Sequence, residues 1–211
     1  KRGKNMKKIA INGFGRIGRL VFRIIEELDD MEVVAINDLS TPEELAYLLK
    51  YDTNHGRYNK NITSDENSIY INGRRVEVYK EMEPSNLPWK SLEIDVVLEC
   101  TGKFTSLDKA MQHITAGAKK VLISAPGKGE MKTIVYNVNN DILTPDDIVV
   151  SAASCTTNCL APVLKVIDEN INITCHNEWK DNLNINDIIG NNDIDTLVEL
   201  TSTNIETGEP G

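Results

Sequence analysis

The sequence predicts an α/β chain built on a doubly wound, mainly parallel sheet, and three observations carry that prediction. Short apolar runs alternate with stretches of helical periodicity, the order that places crossover helices between parallel strands. Gly13-Phe14-Gly15-Arg16-Ile17-Gly18 lies where the first apolar run gives way to the first helical stretch. An acid, Asp38, closes the second run twenty residues after Gly18.

Taken in order, residues 8–12 read as a buried strand. Residues 17–28 set Ile17, Leu20, Val21, Ile24, Ile25 and Leu28 at helical spacing. A second strand covers 32–37. The helix predicted over 41–50 opens on Thr41-Pro42-Glu43-Glu44, a cap followed by a first-turn proline and two acids. Residues 68–71 and 75–79 flank Asn72-Gly73 and read as a hairpin. Three further strands are expected at 95–99, 120–124 and 147–151, with a helix at 106–116 between the first two. A helical pattern at 160–167 follows the last strand, and Pro162 within it should bend the helix or mark a second start.

Composition changes near Asp168. Eight asparagines fall between Asn170 and Asn192, and asparagine favours local side-chain bonds over regular ladders. That stretch reads as loop-like, with helical spacing returning at Ile194, Leu197, Val198 and Thr201 and a frayed end at 206–211.

With 23 basic and 32 acidic side chains the formal charge is −9, which disfavours broad nucleic-acid binding. No apolar run reaches the ~20 residues of a membrane span, and Ile9–Ile11 is too short for a signal-peptide core. Met6 reads as a natural start. These features favour the cytoplasm, no membrane partner, and free thiols at Cys100, Cys155, Cys159 and Cys175. No Cys-x-x-Cys pair occurs and the three histidines are scattered, so no metal site is expected.

The glycine motif gains meaning from its setting between strand and helix. Gly13 permits a tight turn, Gly15 lets the backbone approach a diphosphate, and Gly18 removes a side chain where helix meets sheet. Free N–H groups at the helix start face the anion. The Asp38 carboxylate is placed to accept from adenine-ribose hydroxyls and to repel a 2′-phosphate, favouring NAD over NADP. Arg16 is either a solvated helix-start residue or a phosphate contact.

Ser151-Ala152-Ala153-Ser154-Cys155-Thr156-Thr157-Asn158-Cys159 follows the last predicted strand. Cys155 would lie near a helix N-terminus among hydroxyls, where dipole and free N–H groups favour thiolate over thiol. The same donors could hold an oxyanion or phosphate. Cys159 reads as packing or a redox-sensitive neighbour, Cys100 as core, His55 as structural, and His113 as a helical residue with no partner in sight.

Together these segments resemble the glyceraldehyde-3-phosphate dehydrogenase family. The stretches that carry the resemblance are Ile11-Asn12-Gly13-Phe14-Gly15-Arg16-Ile17-Gly18-Arg19, Ala35-Ile36-Asn37-Asp38-Leu39 and Tyr51-Asp52-Thr53-Asn54-His55-Gly56. They continue in Glu99-Cys100-Thr101-Gly102-Lys103-Phe104-Thr105, Ile123-Ser124-Ala125-Pro126 and Ala153-Ser154-Cys155-Thr156-Thr157-Asn158-Cys159. The match spans about residues 7–167. It implies that Cys155 is the nucleophile that takes an aldehyde through a thiohemiacetal to a thioester. It further implies that Ser154 and Thr156 hold inorganic phosphate, and that Phe14, Arg16, Ile17, Asp38, Thr101, Gly102 and Ser124 line an NAD pocket. Met82 stands where the family usually has arginine.

The resemblance fades after Asn170, and two registers remain open. In one, Thr174-Cys175-His176 matches a threonine-rich strand ending in the base, making His176 catalytic. In the other, Asn177-Glu178-Trp179 matches a late Asn-Glu-Trp, so Asn177 meets the nicotinamide amide and 195–201 match a final helix. The second register has three consecutive identities and Leu197-Val198-Glu199-Leu200 behind it.

The expected organisation is thus an NAD-binding Rossmann domain at 6–153, a nucleophile-bearing helix at 154–170, and an Asn-rich remnant of a second domain at 171–211. The expected function is NAD-dependent oxidation of a sugar-phosphate aldehyde with inorganic phosphate, impaired in so short a chain. A non-catalytic NAD-binding module is the alternative, and a homo-oligomer is left open.

Overall fold

The computed structural model describes residues 6–170. The readings placed on Cys175, His176, Asn177 and the helix at 194–201 therefore lie outside the described residues. In chain order the elements are β1 (Lys7–Asn12), α1 (Arg16–Ile25), β2 (Met31–Asn37), α2 (Pro42–Lys50), β3 (Tyr51–Asp52), β4 (Gly56–Arg57), β5 (Ile62–Ser64), β6 (Ser68–Ile71) and β7 (Arg74–Tyr79). They continue as α3 (Trp89–Leu92), β8 (Val96–Glu99), α4 (Leu107–Thr115), β9 (Lys120–Ile123), β10 (Lys132–Thr133), β11 (Val149–Ser151) and α5 (Cys155–Asn170).

Nine strands share one sheet in the order β10-β11-β9-β8-β1-β2-β7-β6-β5. Every neighbouring pair from β10 to β7 is parallel, and only the β5-β6-β7 end is antiparallel. This is the Rossmann-type arrangement. The chain leaves β1 toward β2 and later returns to β8 on its other side, so a crevice opens beyond the carboxyl ends of β1, β2 and β8.

Strand alternation assigns the two faces. Ile9 and Ile11 of β1 join Phe14, Phe22, Ile25, Val33, Leu45 and Leu49 in one core beneath α1 and α2. Ala10 packs on the other face with Trp89, Ile94, Val97, Ala110 and Val121. Both faces are covered, as a parallel sheet requires.

The predicted helix starts hold. Thr41 caps α2 through its Oγ1, accepting from the Glu44 N–H at 3.2 Å, while the Glu44 carboxylate accepts from the Thr41 N–H at 2.8 Å. The hairpin turn is also as expected, with Asn72 at φ +50° and Gly73 at φ +83°. The first helix is shorter than predicted and ends at Ile25. Leu28 is exposed there, and Asp29 and Asp30 put negative charge where a helix C-terminus is already negative. Helix α5 runs through Pro162 as one element from Cys155, so the proline marks no second start and instead removes one internal hydrogen bond.

Gly18 decides how closely α1 approaches β1: a Cβ there would lie 2.3 Å from the Gly13 carbonyl oxygen, whereas one at Gly15 meets nothing within 4 Å. Gly18→Ala should cost about 1–3 kcal/mol, lowering the melting temperature by roughly 3–10 °C. Gly15→Ala should shift it by no more than about 2 °C. Circular dichroism melts check this, and equal effects at the two positions would contradict it.

Candidate functional site

The turn after β1 is built by hydrogen bonds as much as by glycine. Gly13 adopts φ +89°, and any Cβ on it would sit 2.8 Å from the backbone nitrogen of Thr101. Its N–H donates to the Asn37 carbonyl at 2.8 Å. The next N–H, of Phe14, donates to Asp38 Oδ2 at 2.8 Å, and Asp38 Oδ1 accepts from the Ser40 N–H at 3.0 Å. The acid at the tip of β2 therefore faces the glycine turn and braces it, and each of its oxygens keeps a further acceptor site. Arg19 closes the turn by donating to the Phe14 carbonyl at 3.0 Å.

Gly15 caps α1 without a side-chain bond and no acid lies in the first turn. The first amides of α1 have no intrahelical acceptor, as at any helix start. Arg16 and Ile17 are exposed. Phe14 differs: it is buried, its ring edge-on to Phe22 with centroids 5.6 Å apart, and its N–H and carbonyl are taken by Asp38 and Arg19, so it supports the turn from below.

A cleft of about 450 Å³ opens over this turn. Asp38, Leu39, Glu81 and Met82 form one wall, and Thr101, Lys103 and Phe104 the other, with Asn12, Gly13 and Gly15 between them. Met82 is exposed at the rim. Gly102 sits within the second wall at φ +71°. Ser124 lies behind that wall, its N–H donating to the Glu99 carbonyl at 3.0 Å. Cys100, expected in the core, is partly buried and lines the floor of the cleft; burial pushes its thiol up to about 11, with the Ser124 hydroxyl partly opposing the shift.

Beneath the cleft runs a polar chain that the sequence did not disclose. His113, expected to lack a partner, is fully buried. Its Nδ1 accepts from Trp89 Nε1 at 3.0 Å, which leaves Nε2 as the N–H facing Glu99 Oε2 at 3.1 Å. Glu99 Oε2 also accepts from Asn12 Nδ2 at 2.5 Å, and Asn12 Oδ1 accepts from Asn37 Nδ2 at 2.7 Å. Register explains the contact: Asn12 pairs with Asn37 on one side and Glu99 on the other. The signal available in the sequence was a polar residue ending each of three adjacent apolar strands.

The cysteine segment leaves β11 on the same carboxyl edge, three strands along. Ala153 is buried at φ +61°, a left-handed conformation costing a non-glycine residue about 1 kcal/mol or more. Ser151 Oγ accepts from the Ala153 N–H at 3.1 Å, and Asn158 Nδ2 donates to the carbonyls of Ala152 and Ser154 at 2.7 and 2.8 Å. Ser154 caps α5 by accepting from the Thr157 N–H at 3.0 Å. Cys155 is then the first residue of α5, exposed, with its Sγ 3.9 Å from Thr156 Oγ1. Cys159 is exposed one turn on rather than packed. The Ser151 and Asn158 contributions were not anticipated.

His55 lies in the β3-β4 hairpin, away from Cys155. Its backbone and ring bonds to Asp52 hold that carboxyl down to about 2. Among the described residues no group of histidines, cysteines and acids could hold a metal ion, and no helix is long and apolar enough to cross a membrane.

Residues 7–107 match the family described as glyceraldehyde 3-phosphate dehydrogenase, NAD binding domain. Over these residues the chain is similar to that family's NAD-binding domain. Glyceraldehyde-3-phosphate dehydrogenases of Clostridium acetobutylicum and Clostridium pasteurianum are 56% and 55% identical to this chain over 168 residues. The Mycoplasma pneumoniae protein of the same name is 51% identical over 167 residues. These alignments take in 79–80% of this chain and 50% of each relative, so the chain spans about half the length of the curated relatives it matches.

The described thiols should separate by accessibility and ionisation. Iodoacetamide on the native protein at pH 7.5 should label Cys155 and Cys159 and spare Cys100. Because its folded-state value lies above the free thiol's, labelling of native Cys100 should rise with pH only toward 11. Peptide mass spectrometry reads all three, and early labelling of Cys100 would contradict the buried assignment.

Proposed function

We propose that this chain carries the cofactor site and the nucleophile of an NAD-dependent, glyceraldehyde-3-phosphate dehydrogenase-type oxidoreductase. One observation carries the reading: the 13–18 turn and the start of α5 open on the same carboxyl edge of one parallel sheet. The donor set fits the cofactor, since a diphosphate can approach the open backbone at Gly15 and meet the free amides of α1. Asp38 would hold the adenine ribose. Arg16, Ile17, Thr101, Gly102 and Ser124 would complete the pocket, with Phe14 buried beneath it.

Cys155 is positioned to add to an aldehyde carbonyl, forming a C–S bond and a thiohemiacetal whose oxygen lies near the amides of α5. NAD, when bound, supplies the hydride acceptor that takes this adduct to the thioester. Phosphate attack then releases an acyl phosphate and returns the Cys155 thiolate. Ser154 and Thr156 would steady the phosphate. The Ser154 Oγ lies 2.8 Å from Thr157 Oγ1, and when Thr157 donates between them the Ser154 hydrogen is available to an anion.

No imidazole stands beside Cys155 among the described residues. His113 is enclosed under the cleft and His55 is in the hairpin. In the register that gives His176 no catalytic part, the lack of a general base, typically worth ~10²–10⁴-fold, leaves turnover slow. The reading brings with it a cytoplasmic location and a sugar-phosphate aldehyde and inorganic phosphate as small-molecule partners, with a homo-oligomer left open.

The test is to incubate the chain with NAD and glyceraldehyde-3-phosphate without phosphate, quench in acid and weigh the peptides. An acyl adduct on Cys155, absent from Cys155→Ser, is expected, with phosphate-dependent turnover about 10²–10⁴-fold below the Clostridium relatives. NAD binding with no adduct would instead make the chain a non-catalytic NAD-binding module.

A further inference from the structure

Glu99 is a buried carboxylate that the reaction above does not use. Oε2 takes Asn12 Nδ2 at 2.5 Å and His113 Nε2 at 3.1 Å. Oε1 takes the Thr101 N–H at 2.8 Å and the Thr101 hydroxyl, and Thr101 Oγ1 in turn accepts from the Lys103 N–H at 3.0 Å. One wall of the cleft thus hangs on a single carboxylate oxygen. The other wall hangs on Asn37, which donates to the Glu81 carbonyl at 2.9 Å and accepts from the Glu81 N–H at 2.8 Å. Asn12 joins the two suspensions directly below the glycine turn.

We propose that Glu99 is the positioning residue of the cofactor cleft, setting the 101–103 loop against the Glu81–Met82 wall without touching the ligand itself. The claim rests on the NAD reading of that cleft.

Four donors converge on Glu99, so only a side chain that accepts at both ends satisfies them. The direction is fixed from outside. Trp89 donates to His113 Nδ1, which keeps the His113 proton on the Glu99 side. Asn37 donates to Asn12 Oδ1, which turns the Asn12 amide nitrogen toward Glu99. Glutamine matches glutamate in shape but brings an NH₂ at one end. Set toward Thr101, that group opposes the loop's N–H. Set toward Asn12 and His113, it opposes two donors, neither of which can reverse. The first placement leaves fewer donors unmatched, so the loop is what lets go.

The experiment compares wild type and Glu99→Gln by hydrogen exchange without ligand and by calorimetry with NAD. Exchange at residues 101–103 should rise about tenfold or more in the variant, while the hairpin at 68–79 keeps its wild-type rate. NAD affinity should fall about tenfold. In wild type, ¹⁵N imidazole NMR should place the His113 proton on Nε2. Thr101→Val, at a half-buried surface position, removes the hydroxyl bond alone and should loosen the same loop less, which keeps the test informative if Glu99→Gln fails to fold. Unchanged exchange at 101–103, acceleration spread evenly over the sheet, a proton on Nδ1, or unchanged NAD affinity would each overturn the proposal. Wild type failing to bind NAD would overturn the cofactor reading, and the exchange pattern would still decide what Glu99 holds.

Discussion

Three parallel strands ending side by side must each bring a polar side chain out of water, and here they satisfy one another. Asn37, Asn12 and Glu99 stand in register at the carboxyl ends of β2, β1 and β8, all nearly inaccessible to solvent. An unpaired amide or carboxylate at any of these positions would carry a desolvation cost of about 1–3 kcal/mol or more. Paired, they become a rigid polar bar across the sheet edge. The Gly13 turn rests on it through the Asn37 carbonyl, and the two cleft walls attach to its ends. The geometry a dinucleotide would meet is therefore set one layer below the surface it would touch.

The cysteine segment solves a related problem by different means. A strained residue, Ala153, turns the chain from β11 into α5, and the strain is contained by Ser151 behind it and Asn158 ahead of it. The result places Cys155 at the first position of a long helix, where sulfur is exposed and the first backbone amides have no intrahelical acceptor. Left-handed backbone at a non-glycine residue beside a proposed nucleophile is the kind of strain that surrounding bonds must hold. Cys100, by contrast, follows β8 partly buried on the lining of the cleft, and burial pushes its thiol up. Position on the sheet edge, not residue type, separates the two thiols.

Local chemistry was the legible part of the sequence. The Thr41 cap, the Asn72-Gly73 turn, the roles of Gly13 and Gly18 and the placement of Cys155 at a helix start each depend on a few neighbouring residues. The parallel sheet followed from alternation alone. What sequence reasoning missed depends on partners far apart in the chain. His113 meets Glu99 and Trp89 only because α4 crosses behind β8, and no periodicity within residues 106–116 announces that. Short strands such as β5 and β10 escaped because two or three residues carry no measurable alternation. The overlong first helix came from counting Leu28 as an apolar match without weighing the two aspartates that follow it.

The account stands on the 13–18 turn receiving a diphosphate while Asp38 takes a ribose. Calorimetric titration of the chain with NAD and with NADP measures this most directly. Saturable one-to-one binding of NAD, with NADP weaker by about tenfold or more because the Asp38 carboxylate repels a 2′-phosphate, is the result the account predicts. No heat with NAD, or NADP bound as tightly as NAD, would contradict it.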